Sequence, residues 1–459
     1  MHARFVTLAL VLNGGGLVAV GQTAALRPEW TLRSAAERID WVQRLDDRRG
    51  DLLMAADVAG RVRLFSAATG RATGDWIASE RGVRFVGSAG RVGFVRGVRS
   101  VYAISATGDD GFQLAWKVTV SNPPGTRTDD DPEYLLRIVA AGATQRGVLI
   151  VRSDGVVVEL ASADGTARWR TQLDPLRSGT LHVLRDMATL VWSAAGVARA
   201  AFFDLSSEQP TPRVVELGSS LPIRSGLARM AAQREPGPPG ARHNFSESAL
   251  VAIWVDRLRV VPFAQGDEPC GLHLDAPVSA AALGIQHSED AKDADVLYAA
   301  SPGKVSAFDL RKCRASGAPL LRAAEPPVSL DLAGGYVIIR AREAAEFFRA
   351  GSRDRMTRVA GPGSSVSASV IAGTAYLLAS KDSPPARDEG RCMLLARSLA
   401  PDARGLAAFS LSESRSPRQV LWLATRVVTV DADAARSYTL PRAAAPRSSD
   451  ARARRPHSP

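Results

Sequence analysis

The sequence predicts an all-β chain folded as a β-propeller of about seven or eight four-stranded blades. Three observations carry this: a repeated strand-and-turn pattern, its spacing, and the tryptophans that close it. The clearest copy is residues 147–173. There the β-branched run Val148–Val151 meets a turn at Ser153-Asp154-Gly155, the run Val156–Leu160 meets a turn at Ala163-Asp164-Gly165, and a third short strand carries Trp169. Asp-Gly between apolar runs is a strong hairpin signal, because both central residues of a type I′ turn need positive φ. Asp154, Gly155 and Gly165 are therefore expected to form turns, and Trp169 to close the unit.

The pattern recurs. In residues 52–77, Gly60, Gly70 and Trp76 hold the places of Gly155, Gly165 and Trp169. Residues 97–120 carry Gly108 and Trp116, and residues 296–313 form a fourth copy without tryptophan. Trp76 and Trp116 stand 40 residues apart, and Trp116 and Trp169 stand 53 apart. The longer gap holds SNPPGTRTDDDPEY (121–134), an inserted loop by its Pro, Gly and Asp content. At about 45 residues per blade, residues 12–440 have room for eight or nine units, and allowance for loops brings the expected number to seven or eight.

Taken in order, residues 1–25 read as a secretory signal peptide, with Arg4 before the apolar run 5–12 and small residues at 23–25. The glycines at 14–16 also allow a first hairpin, so both readings stand. Residues 27–45 are the most helix-like stretch, or else hold a strand around Ile39-Asp40-Trp41. Strand-sized apolar runs then fill the chain to residue 440, interrupted by polar loops at 234–248 and 381–391. The propeller is expected to span 26–440. From 441 onward the Pro-, Ser- and Arg-rich tail is expected to be disordered and basic.

The formal net charge is +11. The arginines are scattered, with no basic run interleaved with aromatics, which argues against a nucleic-acid partner. No run of eighteen apolar residues appears after the N-terminal stretch, so nothing downstream is expected to span a membrane. The cysteines, Cys270, Cys313 and Cys392, form no CxxC, which excludes a zinc ribbon on spacing and leaves one disulfide or three thiols open. The six histidines make no HExxH or i, i+4 pair, and no GxSxG elbow or phosphate loop occurs. The acidic run 129–133 lacks the alternating spacing of a calcium loop, and reads as solvated. Trp76, Trp116 and Trp169 are expected to fill gaps between sheets rather than to cage a ligand. Asn244-Phe245-Ser246 is a glycosylation sequon in a Pro/Gly loop.

The repeat G-x-V-x-x-(L/F)-x-x-x-(T/D)G-x-x-x-W resembles the quinoprotein-type (PQQ-like) β-propellers, a fold close to the WD40 type. Dehydrogenases of that class add a calcium-binding acidic site and a pair of adjacent cysteines, and this chain has no adjacent cysteines. Within the class, Ile39-Asp40-Trp41-Val42-Gln43, Leu114-Ala115-Trp116 and Leu190-Val191-Trp192 are similar to the luminal propeller of subunit 1 of the ER membrane protein complex. That resemblance implies a non-catalytic scaffold in the ER lumen or at its membrane, with other subunits of an insertion complex as partners and no cofactor. The alternative is a bacterial periplasmic propeller that scaffolds outer-membrane protein assembly. A third reading, a quinone- or metal-dependent oxidoreductase, needs carboxylates converging on the central channel. Asp109, Asp154 and Asp164 are its only candidates.

Overall fold

The computed structural model describes residues 24–441, apart from 123–135, 230–247, 286–295, 382–391 and shorter stretches, and every regular element described is a β-strand. The strands pair into antiparallel meanders. Blade 1 spans 39–77, blade 2 84–119, blade 3 138–172, blade 4 179–218, blade 5 224–273, blade 6 283–322, blade 7 329–360 and blade 8 363–411. Blade 9 takes three strands from 419–439 and its fourth from near the N-terminus, where Trp30–Arg33 pairs antiparallel with Ala434–Thr439. Ala24–Leu26 runs parallel to Leu406–Leu411 at the outside of blade 8.

The described residues thus form nine sheets, against the seven or eight expected. Short blades such as 329–360, and a last blade that takes its fourth strand from near the N-terminus, make room for the ninth sheet. Ala195-Gly196 and Ala372-Gly373 each join strands with positive φ at both positions. The expected Asp-Gly turns close differently. Only the glycines, Gly155 (φ 87°) and Gly165 (φ 72°), are left-handed, and Gly155 N donates to Arg152 O at 3.0 Å. Residues 153–155 therefore make a three-residue loop ending in a left-handed glycine, and not a type I′ turn.

The core is a ring of layers. Each of nine apolar clusters is built from two neighbouring sheets, and the last joins blade 9 to blade 1 through Trp30, Phe65, Val428 and Val430. A middle strand is covered on both faces, so its apolar run is continuous: Gly147–Arg152 and Val156–Ala161 are buried at all but their last residues. Outer strands such as Ala167–Gln172 alternate instead. Nearest the axis the sheets converge and need small residues. A Cβ on Gly87 would lie 2.5 Å from Ala143 of the next blade, and one on Gly142 2.6 Å from Val183 of the blade after.

This packing decides the ambiguous stretch 27–45. It forms strands Trp30–Arg33 and Ile39–Arg44 rather than a helix, because Ile39, Trp41 and Val42 fill the gaps on either side of blade 1. Residues 1–23, Asn244, the acidic run 129–133 and the tail beyond 441 lie outside the described residues.

Candidate interaction face

In every blade the innermost strand begins where the connection from the previous blade ends, and the second and third strands meet at the same end. We call this end the upper face. The turns joining strands one to two and three to four lie on the lower face.

The residues singled out in the sequence divide between the two faces. Asp154 sits in an upper turn, where its carboxylate accepts from Arg152 Nε at 3.1 Å, Arg152 Nη2 at 2.6 Å and Val156 N at 3.3 Å. Asp164 sits in a lower turn and accepts from Thr166 N at 3.0 Å and Thr166 Oγ1 at 2.8 Å. The backbone N–H of Thr166, and then its hydroxyl, hold the Asp164 carboxyl below the ordinary carboxylate range. The two aspartates lie at opposite ends of blade 3 and do not converge; Asp109 lies outside the described residues. Among those residues no group of three His, Cys, Asp or Glu could hold a metal.

The tryptophans dock blades together. Trp116, on the outermost strand of blade 2, donates to Ser162 O of blade 3 at 3.0 Å, and a Cβ on Gly165 would come 2.8 Å from its ring. Trp30 repeats this two junctions earlier, between blades 9 and 1, donating to Ala67 O at 2.9 Å over Gly70 (φ 67°). Each glycine is needed twice, for its left-handed backbone and for the absent Cβ. Trp76 instead meets Tyr102 at 4.8 Å between centroids. Trp169 stacks on Phe203 at 6.1 Å and donates to Glu159 Oε2 at 2.9 Å. No two of these rings face a common cavity; each lies at a separate junction. Trp30 escaped the sequence reading because its strand lies apart from the blade it completes.

One histidine lies near the axis. His182 Nε2 is 2.8 Å from Ser225 Oγ across the inner strands of blades 4 and 5, and burial pushes its pKa down. No carboxylate orients the ring among the described residues, so the pair lacks the third member of a nucleophilic triad.

The exposed apolar side chains have a consistent address. Among the described residues, nine large apolar side chains are exposed. Six of them, Ile77, Val98, Leu221, Ile223, Val255 and Val328, stand at upper strand ends or in upper turns and connections. Leu114, Val214 and Met356 lie elsewhere. A groove of about 410 Å³ opens on the same face between the outer ends of blades 4 and 5, lined by Leu217, Trp254, Arg257, Arg259, Leu272 and His273 among others. Nothing in the sequence marks it, since its walls come from three strands in two blades.

No protein-family sequence model matches the chain, and no curated protein sequence matches it. Solved structures do resemble it. A eukaryotic initiation factor structure superposes with a TM-score of 0.50 at 11% identity, covering 85% of this chain and 93% of that one. The C-terminal WD40 domain of Sif2 gives 0.49 at 9% identity, covering 92% of this chain and 100% of that one. BamB from Moraxella catarrhalis gives 0.43 at 11% identity, covering 90% and 100%. At such identities the likeness bears on the fold, which is a β-propeller.

Proposed function

We propose that the chain is a non-catalytic propeller scaffold that binds protein partners through its upper face. The observation that carries this reading is the concentration of exposed apolar side chains there. Single exposed apolar residues need no explanation, but a bias to one face of a rigid ring is what a docking surface requires. Short turns on packed sheets hold those side chains in place before a partner arrives, which lowers the ordering cost of binding.

The more specific reading is a luminal subunit of an ER membrane protein insertion complex. Its support is the similarity at Ile39–Gln43, together with the disulfide at Cys270, a bond that persists in oxidising compartments. No helix among the described residues is long and apolar enough to cross a membrane.

The test is affinity capture of the tagged full-length chain from its native membranes, with mass spectrometry of what co-purifies. Recovery of insertion-complex subunits is the expected result. Recovery of outer-membrane assembly proteins would move the chain to a bacterial envelope, and capture of the chain alone with a quinone or metal bound would overturn the scaffold reading.

A further inference from the structure

We propose that the groove between blades 4 and 5 takes an acidic segment of a protein partner, flanked by aliphatic residues. This rests on the scaffold reading above and names the chemistry of one docking point.

The groove has a cationic wall on an aromatic floor. Trp254, buried at 5% exposure, is fixed by its Nε1 donating to Ser220 O at 2.9 Å. The Arg257 guanidinium lies over this ring, 4.9 Å from its centroid. A Cβ on Gly218 would lie 3.3 Å from Arg257 Nη2, so glycine leaves room for the guanidinium. Arg259 is oriented by donating from Nη1 to Glu216 O at 2.9 Å and Leu217 O at 3.2 Å. Among the described residues neither arginine has a carboxylate partner and no acidic residue lines the groove. Glu216 turns instead toward Arg199, 3.8 Å away. A guanidinium already held over an indole retains N–H donors and loses little freedom on pairing with a carboxylate.

The rim supplies the rest of the chemistry. Leu221 and Ile223 follow the lining residue Ser219 in the connection between the blades, and Val255 follows Trp254; their exposures are 44%, 40% and 50%. A partner that offers only negative charge would leave this rim wet, and a purely apolar one would bury two guanidinium groups without counter-charge, which is costly. An acidic residue between aliphatic ones satisfies both. The volume suits one or two side chains.

The experiment is fluorescence anisotropy of the full-length chain with a capped, fluorescein-labelled Leu-Leu-Asp-Glu-Leu-Leu peptide. The comparison peptide, Leu-Leu-Asn-Gln-Leu-Leu, has the same shape without charge. The acidic peptide is expected to bind at least tenfold more tightly. Arg257→Glu should remove that preference, and Val255→Asp, at a half-exposed turn position that leaves the fold intact, should weaken binding at least fivefold. Equal binding of the two peptides, or of the acidic peptide to wild type and R257E, overturns the proposal. So does equally tight binding of a labelled oligothymidylate, which would mark a general polyanion surface. Capture from native membranes separates this proposal from the scaffold reading. If R257E/V255D retains every partner that wild type recovers, the groove is not a docking point and the scaffold stands. If wild type recovers no partner, the scaffold reading itself fails.

Discussion

At the scale of the residue, two glycines with the same backbone have different tasks. Gly165 (φ 72°) lies under the Trp116 ring, whereas Gly196 (φ 78°) has nothing within 4 Å of where its Cβ would stand. Alanine at 196 should cost only the left-handed backbone, about 1–2 kcal/mol. Alanine at 165 adds a clash with a docked ring, and overpacking of this kind costs a further ~1–3 kcal/mol. Urea midpoints of G165A and G196A measure the difference, and equal midpoints would show that the Trp116 contact gives way. Cys392 makes a second prediction. Its thiol is fully buried, and burial pushes its pKa from 9.0 up to about 11. Between those values the unfolded chain releases a proton that the folded chain keeps, so stability falls as pH rises. The slope approaches about 1.4 kcal/mol per pH unit. Cys392→Ala should flatten the alkaline limb of a stability-against-pH curve above pH 9, and should leave it unchanged below.

At the scale of the element, a blade with both faces covered must satisfy any polar group it encloses. Glu159 stands in a middle strand of blade 3 at 1% exposure. It accepts from Thr144 Oγ1 at 2.7 Å and Trp169 Nε1 at 2.9 Å, with Arg168 Nε 3.3 Å away. The carboxylate ties the third and fourth strands of the blade to the turn that follows the first. Glu159→Leu removes the acceptor while Thr144 and Trp169 stay buried, and each orphaned donor costs about 1–3 kcal/mol. Glu159→Gln retains an acceptor oxygen and should lose less. Thermal unfolding of the two variants should order them wild type, E159Q, E159L; E159L as stable as E159Q would show that the donors find other acceptors.

At the scale of the whole molecule, the ring is closed by chain ends far apart in sequence. The strand Trp30–Arg33 completes blade 9, Trp30 docks on blade 1, and Glu29 pairs with Arg426 and accepts from Thr439. A propeller whose closure rests on one short strand should open there first. Trp30→Ala, which empties a buried indole site, should cost about 3–5 kcal/mol. Hydrogen exchange should then show early loss of protection in blades 9 and 1, with blades 3 and 4 protected; uniform loss would mean that the ring unfolds as one unit. Much of this architecture was legible locally. Gly147–Leu173 announces its strands, because each apolar run and each turn glycine is a nearest-neighbour signal. The nine-sheet count was not legible, because the strand that completes blade 9, Trp30–Arg33, stands at the far end of the sequence from its partner Ala434–Thr439. Neither was the groove at Trp254 and Arg257, since the residues that wall it meet only when blades 4 and 5 pack.

The sequence by itself therefore determined the repeating unit: strands, turns, and the all-β ring they imply. Those follow from alternation, β-branching and left-handed glycines, which act within a few residues of each other. Tertiary structure alone decided how many sheets close the ring, which strand completes the last, and which side chains share a face. Each depends on contacts between residues distant in sequence. Trp30 meeting Gly70 and Ala67 is one, and the Arg257–Trp254 pair facing Gly218 across a blade junction is another.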